Sequence, residues 1–141
     1  MGEPSRRILS VLLLLLAMSG CELVRKVTYP PSFTYLEQGD VRTSMARMAD
    51  SIRRIDSILT SSIVVTEQQR ELIIEELNLL DRTAVSLGAG TQVTNHLLLD
   101  EHVDEFRSLV MRATDAVFAT PPSYYWTGQL TGACLSCHVL R

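Results

Sequence analysis

The sequence predicts an all-α protein built as an antiparallel up-down-up-down four-helix bundle. Three observations predict it. Apolar residues recur at alternating steps of four and three along three successive stretches and again, more briefly, along a fourth. The connectors between these stretches are short, as antiparallel neighbours require. No segment alternates apolar and polar residues for long enough to make a sheet.

In chain order the first element is an export signal. Arg6 and Arg7 precede an apolar run from Ile8 to Met18, and Ser19-Gly20 precede Cys21, which sets out the charged, hydrophobic and small-residue regions of a signal peptide. The run is too short for a comfortable transmembrane helix. Met18-Ser19-Gly20-Cys21 resembles a bacterial lipobox, whose cysteine becomes a diacylated N-terminus after cleavage. The alternative is an ordinary cleaved signal with Cys21 incidental. Ser5-Arg6-Arg7 invites a twin-arginine reading, but five consecutive leucines make the run more hydrophobic than such signals usually are. Export in the unfolded state to the periplasmic side of a bacterial membrane is the expectation. Glu22 in place of aspartate does not mark retention at the inner membrane.

The expected organisation is a lipoprotein signal peptide over 1–20, a tether over 21–39 and the helical bundle over 40–141. Removing the signal leaves 121 of the 141 residues, enough for one compact domain. The 13 basic residues lose Arg6 and Arg7 and the 16 acidic ones lose Glu3, leaving 11 against 15, or about −4. That balance gives no reason to expect a nucleic-acid partner. It suits either plain solvation or steering toward a basic redox partner. The tether contains Tyr29-Pro30-Pro31-Ser32-Phe33 and no sustained helical period. Tyr29, Phe33 and Tyr35 either belong to it or pack on the bundle as an arm.

The first helix follows Asp40, with a seam of Val41, Met45, Met48, Ile52, Ile55 and Leu59. The second is opened by Thr66, with Gln69 three residues on as a capping box, and its seam is Ile73, Leu77, Leu80, Ala84 and Leu87. Gly88-Ala89-Gly90 stops it. The third begins near Thr94, carries Leu99, Val103, Phe106, Val110, Ala113 and Val117, and ends at Thr120-Pro121-Pro122. A fourth, capped by Ser123, carries Leu130, Cys134 and Cys137 at core positions. Gly128 and Gly132, four apart, leave one face of that helix open to a flat ring.

The chemistry is concentrated in Cys134-Leu135-Ser136-Cys137-His138, a C-x-x-C-H sequence of the kind that attaches a c-type haem. Two thiols three positions apart lie on adjacent helical turns, close enough to add to the two vinyl groups of one porphyrin. The following histidine is placed to bind the iron. With only three residues after His138, a sixth ligand must come from upstream. With one cysteine in a lipid thioether and two in haem thioethers, all three cysteines are accounted for. The rivals are a zinc site, which needs a fourth ligand that only His96 or His102 remains to supply, and a thiol redox pair, which normally opens a helix after a strand.

On Thr131-Gly132-Ala133-Cys134-Leu135-Ser136-Cys137-His138 near the chain end, and on the first-helix residues Met48-Ala49 and Arg54-Ile55, the chain over residues 40 to 141 resembles the cytochrome c′ family, single-haem four-helix bundles. Members usually follow the histidine with an aromatic and then a basic residue; here the ending is Val139-Leu140-Arg141, without the aromatic. The resemblance implies one covalently attached haem c, His138 as the proximal ligand and Met45 over the distal face of the iron. In the cytochrome c′ family the distal residue is usually non-coordinating, and the iron binds nitric oxide or carbon monoxide. In the related b562 type a first-helix methionine is the sixth ligand. Dimers are frequent in the family, so a homodimer is a further expectation.

Met45 is therefore either an iron ligand or a lid, and Met48, also on the seam, is core filling first. Arg42, one turn from Met45, either pairs a haem propionate or is an ordinary exposed arginine. His96 and His102 lie about 240° apart on a helix and off the seam, so both are expected to be solvated. The Glu75-Glu76 and Asp104-Glu105 pairs read as solvated faces. Tyr124, Tyr125 and Trp126 either wall the haem edge or simply pack. No catalytic constellation is visible, and no enzymatic role is expected. The expected function is electron transfer by a periplasmic, lipid-anchored monohaem cytochrome held at the membrane through Cys21. The alternatives are a gas-binding module and a zinc-bearing structural lipoprotein.

Overall fold

Helices dominate the computed structural model, which describes residues 33–90 and 93–138, the side chains of Ser136 and Cys137 apart. The export signal, the lipidation site Cys21, the tether up to residue 32 and Arg141 lie outside the described residues. The helices are α1 (Gln38–Ser61), α2 (Glu67–Ser86), α3 (Leu97–Phe118), α4 (Tyr125–Gly128) and α5 (Leu130–His138). Two-residue strands, β1 (Phe33–Thr34) and β2 (Val93–Thr94), form a minimal sheet.

The expected capping box opens α2. Thr66 Oγ1 accepts from the Gln69 amide at 3.3 Å, and Gln69 Oε1 accepts from the Thr66 amide at 2.9 Å, so two otherwise unpaired donors are satisfied together. At the other end Gly88 and Gly90 adopt φ of 105° and 111°, a backbone region that costs other residues energy, and the Gly90 amide donates to Asp104 Oδ1 at 2.7 Å. Asp104 is thus tied to this turn as well as solvated.

Two boundaries differ from expectation. Thr94 does not open α3; its amide and hydroxyl both donate to Asp100, the hydroxyl at 2.7 Å to Oδ1, which holds Thr94 extended and moves the helix start to Leu97. Ser123 caps nothing. Its amide donates to Ala116 O at 2.9 Å, and the fourth helical stretch starts at Tyr125 and breaks into α4 and α5 around Gln129. Gly128, with its low helix propensity, stands at that break.

Packing follows the seams. α2 packs on both α1 and α3, and α3 also packs on α4 and α5. Ile55, Ile73, Leu77, Leu80, Val110, Ala113, Val117 and Leu130 are fully buried. Burial of one such Leu or Ile side chain is worth roughly 1.5–3 kcal/mol. Leu36, just before α1, joins the same core. Its amide donates to Asn95 Oδ1 at 2.7 Å, and its carbonyl accepts from Asn95 Nδ2 at 3.0 Å.

Polar links cross between helices where the sequence offered no register. Thr131 Oγ1 on α5 donates to Asp56 Oδ2 on α1 at 2.7 Å, and Arg107 on α3 pairs with Asp81 on α2 at 2.8 Å. Arg54 on α1 pairs with Glu76 on α2 through two parallel bonds, Nε donating to Oε1 at 2.5 Å and Nη2 to Oε2 at 3.0 Å. Glu76 is half-buried there, not on a freely solvated face. Burial pushes its carboxyl up, but the hydrogen bonds from Arg54 and Ser51 outweigh that and hold it below its usual value. A depressed carboxylate stabilises the fold above the ordinary glutamate range and loses that contribution as pH falls through the lowered value. Urea midpoints of the wild type and Glu76→Gln are expected to differ at pH 7 and to converge on acidification toward pH 3. A gap that stays constant over that range would exclude the pair as a source of stability.

Candidate functional site

The seams are sealed along part of each helix and only half-closed along the rest. In α1 the buried stretch is Met48 to Ile55, while Val41 and Met45 are half-buried; in α3 it runs from Val103 to Val117, while Leu99 is half-buried. The half-closed parts surround one cavity of about 680 Å³. Its walls come from the N-terminal half of α1 (Val41, Met45, Met48), from Leu87 just after α2, from the N-terminal half of α3 (Leu98, Leu99, His102, Val103, Phe106) and from the C-terminal half of α5 (Ala133, Cys134, His138). Asn95 and His96 of the connector, with Leu97 at the start of α3, complete it.

That connector is fixed by its own hydrogen bonds. Asn95 clasps Leu36 as described, His96 Nε2 lies 3.3 Å from the Leu36 carbonyl oxygen, and the His96 amide donates to Thr94 Oγ1 at 3.0 Å. With Thr94 also held by Asp100, the wall between β2 and α3 is tied both to the chain before α1 and to the first turn of α3.

Of the residues singled out in the sequence, Cys134, His138, Met45 and Met48 meet at this cavity. Cys134 is half-buried against the core, Met48 is buried, and His138 is exposed. The side chain of Cys137 lies outside the described residues. Arg42 is exposed and is not part of the lining.

One expectation needs correction. His96 and His102 are not solvated: both are half-buried in the cavity wall. Gly128 and Gly132 are not among the lining residues; both are exposed, and a Cβ on either would meet open space. Tyr124, Tyr125 and Trp126 are absent from the wall. Trp126 instead packs edge-on against Tyr125 at 5.0 Å and lies under the Arg112 guanidinium at 4.8 Å, a cation–π contact. Burial raises the Tyr124 hydroxyl above its ordinary pKa.

Chemically the lining is apolar, with a few donors grouped on it: a thiol, imidazoles and two thioethers. Its volume falls within the roughly 300–1,000 Å³ of small-molecule and cofactor sites. A flat apolar macrocycle held by thioether bonds and an axial imidazole fits this donor set. Among the described residues no three His, Cys, Asp or Glu side chains gather as a site for a bare metal ion, and no helix is long and apolar enough to cross a membrane. Comparison with family models, with curated proteins and with solved structures finds no match.

Proposed function

We propose that this chain is an exported, lipid-anchored monohaem c-type cytochrome of the c′ type that acts in electron transfer. The observation that carries the reading is the convergence of Cys134, His138 and Met45, from α5 and α1, on one apolar cavity of cofactor size. Cys134 and Cys137 would hold haem c covalently, His138 would bind its iron, and the aliphatic walls from α1 and α3 would keep water from its faces. Haem supplies a one-electron iron couple when bound. The chain's own contribution is to hold that couple in an apolar setting while α5, with His138 exposed at its end, stays within reach of a partner.

The same cavity supports the up-down-up-down arrangement. It is met by the N-terminal half of α1, the C-terminal end of α2, the N-terminal half of α3 and the C-terminal half of α5. Helices that alternate in direction bring those parts to one end of a bundle.

The test is the optical spectrum of the purified, dithionite-reduced protein before and after carbon monoxide. A low-spin spectrum that the gas leaves unchanged is the expected result and means a saturated iron and an electron carrier. The apolar lining beside Met45 favours one second reading, reversible binding of nitric oxide or carbon monoxide. A high-spin spectrum that shifts with the gas would replace the first reading by that one.

A further inference from the structure

Met45 is not the only donor aimed at the cavity. Leu98, His102 and Phe106 follow one another at intervals of four, a single ridge of α3, and all three line the cavity. His102 is thus an imidazole in a predominantly apolar wall, its side chain only 25% exposed. The ionic neighbour of its ring is Glu101, with Nε2 4.0 Å from Oε2, beyond hydrogen-bond range. His96, the other histidine of the wall, is already engaged with the Leu36 carbonyl. The His102 ring is half-buried with neither nitrogen sealed from solvent, so a nitrogen on this wall stays open to a metal. Met45 and Met48 need no bond to explain their place, because a thioether packs in an apolar core without a partner.

We propose that His102 supplies the sixth ligand to the haem iron, so that the iron is held by His138 and His102 and Met45 covers the ring without bonding. This assignment rests on the cytochrome reading above and deepens it. It carries a chemical consequence: methionine ligation raises a haem potential, so two imidazoles hold the iron at a lower potential than a histidine and methionine pair would.

The experiment uses the full-length exported protein with its haem attached, comparing wild type, His102→Gly and Met45→Leu by optical and paramagnetic resonance spectra in both oxidation states. The wild type and Met45→Leu are expected to be low-spin and indifferent to carbon monoxide. His102→Gly is expected to lose the low-spin bands, to bind carbon monoxide, and to recover the low-spin spectrum when millimolar imidazole is added. Rescue by free imidazole separates loss of a ligand from loss of the fold. A Met45→Leu variant that loses the low-spin bands while His102→Gly keeps them overturns the assignment and leaves the electron-transfer reading standing. A high-spin wild type that binds carbon monoxide overturns the assignment and replaces electron transfer by gas binding. A wild type without covalent haem overturns the assignment and the cytochrome reading together.

Discussion

Serine at both Cys134 and Cys137 is expected to give a protein with no haem signal after denaturing electrophoresis, whereas the wild type keeps one. Under the proposed function each thiol would add its S–H across one vinyl group, the sulfur to one carbon and the hydrogen to the other, so the two cysteines would account for the whole covalent attachment. Removing one cysteine leaves one vinyl group in conjugation with the ring. Either single variant should therefore keep covalent haem but absorb at longer wavelength in the reduced pyridine complex. Haem that survives denaturation in the double variant would defeat the proposal. The effect is all-or-none because a bond to His138 alone does not survive denaturation.

Leu77→Ala is expected to cost about 2–5 kcal/mol, the range for emptying a buried leucine site in a packed core. Leu77 is fully buried on α2, the helix that packs on both α1 and α3, so the space it leaves has neighbours on two sides that cannot all collapse. A domain of this size is usually stable by only about 5–15 kcal/mol, and each kcal/mol moves its Tm by roughly 4–8 °C. The control is Leu72→Ala on the same helix: Leu72 is 47% exposed, and a change of no more than about 0.5 kcal/mol is expected there. If the two variants melt together, the core is not packed as described.

The long seams were legible because burial on an amphipathic helix depends on little except its period. Ile73, Leu77, Leu80, Ala84 and Leu87 are all buried, and so are Val103, Phe106, Val110, Ala113 and Val117. The capping box at Thr66 was legible for a similar reason, since every atom in it lies within four residues. What failed needed information from outside the segment. Thr94 looks like a helix cap until Asp100 takes its amide and hydroxyl. Glu76 looks solvated until the register of α1 against α2 brings Arg54 to it. His102 was missed because a narrow stripe describes a helix pressed against its neighbours. Around a cavity the inward-facing arc is wider, and it takes in the residue beside Val103.

Under the proposed function, the uneven closure of the core sets an order in time. Ile55, Ile73, Val110 and Val117 are fully buried on α1, α2 and α3, ahead of the helix that carries Cys134 and His138. Hydrophobic burial among those three helices would hold the newly exported chain together before any chemistry takes place on α5. The residues proposed to be modified lie on the nine-residue α5. A body folded from α1, α2 and α3 would let the attaching machinery engage the short α5 without unravelling the rest. The maturation intermediate is then a protected, largely helical apoprotein, and not a disordered chain exposed to periplasmic proteases.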